Sequence, residues 1–211
     1  MKKGLLALLL AVALVAPAFA AKGDMSVNAK LGLGVGNTGK VFVETGMGMP
    51  TDDLYVGFKM DNPLSFGAEF FYGTSNSFSV GVGANYTFDS DTDFSMGGPK
   101  QNVKVGTTNI YFAIRPEFKL ESKFISSVYL VGQIGLAMPR VDIDAPFDIS
   151  VNNGLYLGAG FGTMIKDAFF VELILSSSNG SVKYPVSPSR TIDYDVQYTA
   201  TTINVGYKFN I

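Results

Sequence analysis

The chain has 211 residues, and only 16% of them are charged, below the roughly 25% that is usual in soluble domains. It contains no cysteine and no histidine, which excludes disulfide bonds, thiolate metal sites and histidine-based catalysis. Its 16 basic and 18 acidic residues lack the positive excess of a nucleic-acid-binding protein. No nucleic-acid partner is therefore expected.

The N-terminus has the parts of a secretory signal peptide. Lys2 and Lys3 precede an apolar run that extends to Val15, and an Ala-x-Ala site follows, so residues 1–20 are predicted to be cleaved off. An uncleaved membrane helix, the alternative, needs about 20 apolar residues, more than this run supplies. Cleavage removes two lysines and no acid, so the single remaining domain, residues 21–211, has 14 basic and 18 acidic residues and a net charge of −4.

The rest of the chain alternates between apolar and small or polar residues, which is the pattern of β-strands; no stretch keeps a helical repeat. Ten strands are predicted, at about 25–36, 40–49, 53–60, 64–73, 77–88, 105–119, 124–138, 153–165, 168–179 and 194–211. Short links at 73–76, 121–123 and 166–167 alternate with long loops at about 89–104, 139–152 and 180–193. This asymmetry is typical of a transmembrane antiparallel up-and-down β-barrel.

The N-terminal third leaves the number of strands open. Short outer turns at 37–39 and 61–63 give the ten strands that the periodicity favours. Alternatively, residues 37–63 form one long outer hairpin over an eight-stranded barrel. Both counts are even, as in single-chain bacterial barrels.

A change of phase occurs near the C-terminus. Tyr194, Val196, Tyr198 and Ala200 are out of phase with the apolar series that begins at Ile203. A β-bulge near 201–202 would reconcile the two series, or the upstream part stands above the membrane.

The strands have one strongly apolar face and one face of small or polar residues. The last predicted strand, which we call the closing strand, places five apolar side chains on one face: Ile203, Val205, Tyr207, Phe209 and Ile211. The opposite face of another strand is formed largely by Gly158, Gly160 and Gly162. A soluble lipocalin-like barrel, the main alternative, fills its interior with large apolar side chains and covers its outside with polar ones. The sequence instead favours lipid outside and small or polar residues inside.

Nine ionisable residues of nearly balanced charge are predicted to face inward: Lys30, Glu44, Lys59, Glu69, Arg115, Glu117, Lys119, Glu172 and Lys208. Because buried charges need partners, this predicts a salt-bridged interior network that fills the lumen and has a structural role. The alternative is that the same residues line a narrow, gated pore. The acidic run Asp89–Asp93 lacks the glycine and glutamate of a calcium loop, so a solvated acidic loop is predicted and no metal or cofactor is expected.

On these features the chain resembles the small bacterial outer-membrane β-barrel family of OmpA-like, OmpX-like and opacity-type proteins. The signal peptide, the strands Val128–Gly135 and Leu157–Gly160, and the closing segment Gly206–Ile211 carry the resemblance. It implies the outer membrane of a Gram-negative-type bacterium, contact with outer-membrane lipid and lipopolysaccharide, and insertion by the barrel-assembly machinery. The implied assembly signal consists of Gly206, Tyr207, Phe209 and Ile211.

The resemblance implies a structural or adhesin-like surface role, in which the long loops meet host or extracellular ligands. A narrow porin-like channel, or a carrier for small or apolar solutes, is the alternative. The enzymes among outer-membrane barrels resemble one another in using a catalytic histidine. This chain has none, so no enzymatic activity is expected.

Overall fold

A computed structural model describes residues 23–43, 55–94, 101–143, 150–187 and 190–211. These residues form ten strands: β1 (Met25–Val43), β2 (Tyr55–Met60), β3 (Leu64–Ser75), β4 (Phe78–Phe94), β5 (Gln101–Lys119), β6 (Ile125–Ile143), β7 (Ser150–Asn152), β8 (Gly154–Ile165), β9 (Phe169–Ser187) and β10 (Arg190–Asn210). Within the described ranges, no helix is long and apolar enough to cross a membrane. The predicted signal peptide lies outside the described residues.

The ten strands form one closed antiparallel sheet. β1 pairs with β10 to close the circuit, as in the pairs Ser26↔Asn210 and Leu33↔Ile203. β2 and β3 share one position in this circuit, because both pair with β1 and with β4. β7 and β8 follow each other along the same edge of β9. The predicted all-β barrel of ten strands is confirmed, and these strands fill eight positions around the barrel, as in the alternative with a long outer hairpin.

Several predicted strand boundaries are wrong at the end that carries the longer connections. The predicted turn at 37–39 lies inside β1, and most of the predicted loop at 180–193 is paired strand. The acidic run Asp89–Asp93 lies on β4 and not in a loop. These hairpins extend past the apolar part of the barrel, where alternation no longer marks a strand although the backbone pairing continues.

The links at the opposite end are short, as predicted. Residues 166–168 join β8 to β9, and the Ala168 N–H donates to the carbonyl oxygen of Ile165 at 3.2 Å. Lys166 and Asp167 have positive φ, 50° and 58°, as in a type I′ hairpin turn. The two ends of the barrel sheet meet here as well, since the Ile211 N–H donates to the carbonyl oxygen of Met25 at 2.9 Å. We call this end, which carries the short links, the periplasmic end, as the resemblance to outer-membrane barrels implies.

The outside of the barrel is apolar and the inside is polar. In β10, Val205 and Phe209 are each 52% exposed, whereas Asn204, which precedes Val205 and faces the opposite side, is 4% exposed. In β5, Phe112 is 57% exposed and its neighbour Tyr111 is 2% exposed. The predicted facing of the apolar residues is confirmed. Such an inverted arrangement is stable where hydrocarbon replaces water around the barrel.

Three adjacent strands break the alternation at the same level. Two consecutive residues face outward in β1 (Val35–Gly36), between β2 and β3 (Asp61–Asn62) and in β4 (Phe88–Asp89), and each pair is flanked by buried residues. We call these six residues the bulge row. The register between the three strands is the same above and below the bulge row, whereas it shifts against β10 and β5. Each of the three strands therefore carries one extra residue at this level.

The bulge row explains two errors in the predicted facing. The register shift does lie opposite Thr201 and Thr202, but the extra residue is Val35 on β1 and not a residue of β10. Lys59 was predicted to face inward, yet it is exposed while its neighbour Met60 is 4% exposed and faces the interior. The extra residue between β2 and β3 reverses the phase, so an alternation continued from β3 without a break assigns the side chains of β2 to the wrong faces.

At the level of the bulge row, the pairing of β4 with the segment that contains β2 and β3 is interrupted. Regular pairing stops at Ser65↔Thr87 and resumes at Met60↔Thr92. Pro63 lies in this gap and has no backbone N–H to donate to the neighbouring strand. Two hydrogen bonds cross this gap: the Asp61 N–H donates to the carbonyl oxygen of Asp91 at 3.3 Å, and the Ser90 hydroxyl donates to the carbonyl oxygen of Asp61 at 3.0 Å.

Candidate functional site in the barrel interior

A buried ion cluster lies inside the barrel, about midway between the short links and the bulge row. The Nζ of Lys30 on β1 donates to Glu69 Oε1 on β3 at 2.7 Å and to Glu172 Oε1 on β9 at 2.9 Å. The three side chains are 2–3% exposed. We call Lys30, Glu69 and Glu172 the central charge cluster. It links three strands across the lumen through side chains that the alternation places inward.

Neutral polar side chains complete the hydrogen bonding of the two carboxylates. Glu69 Oε1 accepts bonds from the Tyr111 hydroxyl at 2.8 Å and from Gln133 Nε2 at 3.2 Å. Glu172 accepts from Asn204 Nδ2 at 3.2 Å and from the Tyr129 hydroxyl at 3.3 Å. A carboxylate that accepts several hydrogen bonds is held in place more firmly than a neutral acceptor. The network therefore fixes the two carboxylates on either side of the Lys30 ammonium group.

Space for this network depends on the glycine-rich inner face of β4. A Cβ on Gly83 would lie 2.7 Å from the Tyr111 ring and 2.8 Å from Glu69 Cγ. β4 therefore contributes room for side chains from neighbouring strands. The small inward-facing residues therefore make room for the large side chains that fill the interior; they do not line an open pore.

The lumen between the central charge cluster and the periplasmic end is filled with large side chains. Phe71, Met164 and Phe170 are each 1% exposed, and Arg115 is 2% exposed. The Arg115 guanidinium lies 4.1 Å from the centroid of the Phe71 ring and 5.2 Å from that of Tyr129, within the range of cation–π attraction. We call Phe71, Arg115, Tyr129, Met164 and Phe170 the lower plug.

A small polar cavity lies on the outer side of the central charge cluster. Its volume is about 30 Å³, and we call it the outer cavity. Its lining is mostly hydroxyl and amide side chains, among them Ser65, Asn85, Asn109, Ser176, Thr202 and Asn204, with Lys30 at its base. Since one water molecule needs about 10–15 Å³ of such space, the outer cavity admits water and excludes a sugar or an amino acid in this conformation.

The predicted inner charges fall into separate groups. Lys30, Glu69 and Glu172 meet in one cluster, and Arg115 lies next to it in the lower plug. Glu117 lies nearer the periplasmic end, where its Oε1 accepts a hydrogen bond from Ser127 at 2.6 Å.

The other predicted members do not join the cluster. Lys119 is exposed and Lys208 half-buried, both toward the periplasmic end, because they lie at the last residues of their strands. Lys59 faces outward, as described above. Glu44 lies outside the described residues. The expected single network is therefore a compact cluster with separate rim charges.

Alternation predicted the facing of the neutral network residues but not their contacts. Tyr111, Tyr129, Gln133 and Tyr156 all lie on the face predicted to be inward. Their role depends on which residues of other strands they meet. Tyr156, for example, donates to Gln133 Oε1 at 2.7 Å, and Gln133 in turn donates to Glu69. No spacing within one strand signals such a contact.

Arg140 on β6 is an important residue that the sequence did not single out. On the outer face beside the bulge row, its guanidinium donates to Thr108 Oγ1 and to the carbonyl oxygen of Thr87, each at 2.7 Å. It also bonds to Asp89 Oδ1 at 3.2 Å and lies 4.2 Å from the Tyr86 ring centroid. Arg140 thereby fastens the extra residue of β4 to β5 and β6.

The closing strand carries a cluster of aromatic side chains at the periplasmic edge of the apolar surface. Tyr207 packs edge-on against Phe169, with 5.0 Å between ring centroids, and 4.7 Å from Phe209. Gly206 faces inward, where a Cβ would collide with the Phe170 ring and with the carbonyl oxygen of Ala29. Aromatic rings at this depth suit the membrane interface. The use of these residues as an assembly signal stays a prediction.

A closed sheet with lipid-facing apolar residues and a charged interior defines a membrane-spanning β-barrel protein. The family model for the outer membrane protein beta-barrel domain matches residues 5–209. The chain belongs to this family, whose members are proteins of the outer membrane of Gram-negative bacteria.

Solved structures share the fold. The outer membrane protein OprG from Pseudomonas aeruginosa is 14% identical, with 90% of this chain and 97% of that chain covered and a TM-score of 0.51. The outer membrane protein AlkL, determined in DMPC lipid bilayers, is 11% identical, with 90% and 92% covered and a TM-score of 0.58. A comparison with curated protein sequences found no match. At these identities the likeness concerns the fold alone.

Proposed function

We propose that this protein is a non-conducting outer-membrane barrel with a structural role in the membrane and an interaction role at its outer surface. The observation that supports the proposal is the filled lumen, in which the central charge cluster and the lower plug occupy the part of the barrel nearest the periplasmic end. Barrels of this size are generally filled by their own side chains. Outer-membrane lipid and lipopolysaccharide are the proposed partners of the apolar outer face.

Planar-bilayer recording tests whether the lumen is closed. The wild-type protein, refolded and checked by its heat-dependent electrophoretic mobility, is expected to give no single-channel steps. The variant Arg115→Ala removes the largest polar part of the lower plug and is also expected to stay closed, since Phe71 and Phe170 remain. Regular conductance steps in the wild type would overturn the proposal.

The outer hairpins are the proposed surface for extracellular or host ligands. β4 and β5 extend beyond the bulge row to Phe94 and Gln101, and their outer residues Asp91 and Lys104 are exposed. Protease added to intact cells is expected to cut between strands at this end, between 94 and 101 for example, and to spare the links on the opposite side. Cleavage at those periplasmic links instead would contradict the orientation.

Catalysis forms no part of the proposal. Histidine, the commonest general base, is absent from the whole sequence, and the described Asp and Glu residues form no group suited to holding a metal. A lipid-modification assay on the purified protein is the direct check. Acyl transfer or hydrolysis at a rate above that of the heat-unfolded protein would contradict a purely non-catalytic role.

A narrow channel or carrier is the second candidate, and the interruption of the sheet favours it. The outer cavity is lined by Pro63 and Ser65, next to the gap between β3 and β4, so a solute could pass sideways between cavity and membrane. The chain has no cysteine, which permits a clean test with the double variant Leu64→Cys and Phe88→Cys across the gap. Solute uptake by vesicles that stops on oxidation and returns on reduction would support the carrier; uptake equal to empty vesicles in both states would exclude it.

A further inference from the structure

Two asparagines in the chain are each followed by glycine, at Asn153–Gly154 and Asn179–Gly180. The backbone nitrogen of the residue that follows an asparagine can attack the carbon of its side-chain amide. Glycine hinders this attack least because it has no Cβ. Both steps lie toward the outer end of the barrel, the first between β7 and β8 and the second within β9. They have the same chemistry but different surroundings.

Asn153 is an extra residue in the wall of the barrel. The last pair of β7 with β9 is Asn152↔Ser181, and the first pair of β8 with β9 is Tyr156↔Ser178. Between these pairs, residues 153–155 lie opposite residues 179–180, so this side has one residue more, as at a β-bulge. Asn153 belongs to neither strand and is exposed, and its side chain has no hydrogen bond within the described ranges. Its side-chain amide is therefore free to turn toward the main chain.

The packing of β8 on β9 requires glycine directly after this exposed asparagine. A Cβ on Gly154 would collide with the backbone carbonyl group of Asn179. Gly154 is also the first residue of β8, and Ala137↔Gly154 is the outermost pair of β8 with β6. The end of a ladder opens at little cost in free energy. The attacking nitrogen of Gly154 is therefore unhindered by a side chain and held only at the end of a ladder.

The second asparagine is held in place on both sides. Asn179 pairs with Gln197 and Gly180 with Val196, in the middle of the long ladder between β9 and β10. The Oδ1 of Asn179 also accepts a hydrogen bond from the Leu155 N–H at 2.6 Å. For the Gly180 nitrogen to reach the side-chain carbon, the main chain must rotate out of its extended conformation and break these bonds. The same reaction at Asn179 therefore requires local opening of the sheet.

We propose that Asn153 is a site of spontaneous deamidation. The Gly154 nitrogen bonds to the side-chain carbon of Asn153, and the amide NH₂ leaves as ammonia with the proton of that nitrogen, which forms a cyclic imide. Water then opens the imide at either carbonyl group and gives aspartate or isoaspartate. Both products add a negative charge at the outer end, and isoaspartate also adds a carbon atom to the main chain between β7 and β8. The reaction does not depend on whether the lumen conducts.

Peptide mass spectrometry tests this site on the full chain, folded in lipid vesicles and kept at mildly alkaline pH in oxygen-labelled water. The mass gain at Asn153 is expected to grow about tenfold faster than that at Asn179, because Asn179 reacts only after local opening. Fragment ions separate Asn153 from Asn152, whose side chain donates to Ser181 Oγ at 3.0 Å. In protein unfolded by guanidinium, the rates at the two Asn–Gly steps are expected to become similar. Asn179 is thus a matched control within the same molecule.

The variant Asn153→Gln gives an independent test, because the longer side chain would have to close a larger and slower-forming ring. It is expected to abolish the rapid mass gain in this peptide while the heat-dependent mobility of the barrel stays as in the wild type. A rate at Asn153 no higher than that at Asn179 in the folded protein would overturn the site, and so would a rapid gain that persists in Asn153→Gln. Neither result touches the closed lumen, which the bilayer recordings test separately.

Discussion

Replacing Lys30 with methionine measures how far the central charge cluster stabilises the barrel. The Lys30 Nζ is shared by Glu69 at 2.7 Å and Glu172 at 2.9 Å, and its side chain is 3% exposed. Methionine keeps most of the apolar stem but removes the ammonium group. The two carboxylates then lie in one buried space without the cation that joined them.

The expected loss of stability follows from the partners that remain. Removing one member of a buried ion pair costs about 3–5 kcal/mol. Hydrogen bonds from Tyr111 and Asn204 still reach the carboxylates, so we expect the lower end, about 3 kcal/mol. Such a loss is more than a hundredfold in the unfolding equilibrium, at about 1.4 kcal/mol for each factor of ten. The triple variant with Glu69→Gln and Glu172→Gln removes all three charges and should recover most of the loss.

The assay is urea unfolding of the protein in lipid vesicles, followed by circular dichroism and by heat-dependent electrophoretic mobility. Lys208→Met is the matched control, because Lys208 is half-buried near the periplasmic end and a partly exposed charge contributes about 1 kcal/mol or less. A loss below about 1 kcal/mol in Lys30→Met would refute the reasoning. So would a triple variant that is no more stable than the single one.

Three further outcomes are expected. Arg140→Ala should lower stability by about 1–3 kcal/mol and speed amide hydrogen exchange at the bulge row; Arg140→Lys should behave almost as badly, because lysine cannot form the same fork of bonds. The double variant Lys166→Asn and Asp167→Gly introduces residues that suit the positive φ of the turn, and it should raise the free energy of unfolding by about 1 kcal/mol. The control Ser77→Gly, at a turn without positive φ, should not raise it. Deleting Phe209–Ile211 should block insertion; a heat-modifiable barrel in the outer membrane after that deletion would contradict the assembly signal.

Alternation alone predicted the fold wherever lipid meets the barrel. In β10, Val205 and Phe209 face outward and Asn204 inward because each position either meets hydrocarbon or does not. This requirement acts on every lipid-facing residue, so the sequence records it repeatedly. Beyond the membrane no such requirement acts, and the paired residues of β9 and β10 near 180–193 were therefore mistaken for a loop.

The interior charges were predicted less completely, for a different reason. Lys30, Glu69 and Glu172 were assigned to the right face, but their meeting depends on the register of three strands that are distant in sequence. Lys59 was assigned to the wrong face because one extra residue upstream of β3 cannot be recognised from a single chain's pattern. Arg140 was overlooked because its partners come from β4 and β5, and its own strand shows only a cation beside a proline.

The bulge row has a consequence for how such a chain can change over generations. A residue lost from β1 alone, at Val35, would bring β1 into step with β10 and out of step with β2, and every inward residue beyond it would meet the wrong neighbour. Losses at Val35, Asn62 and Phe88 together would keep all the pairings and both faces. Insertions and deletions at this level are therefore expected to be inherited as a set of three, so that related barrels either have the whole row or lack it.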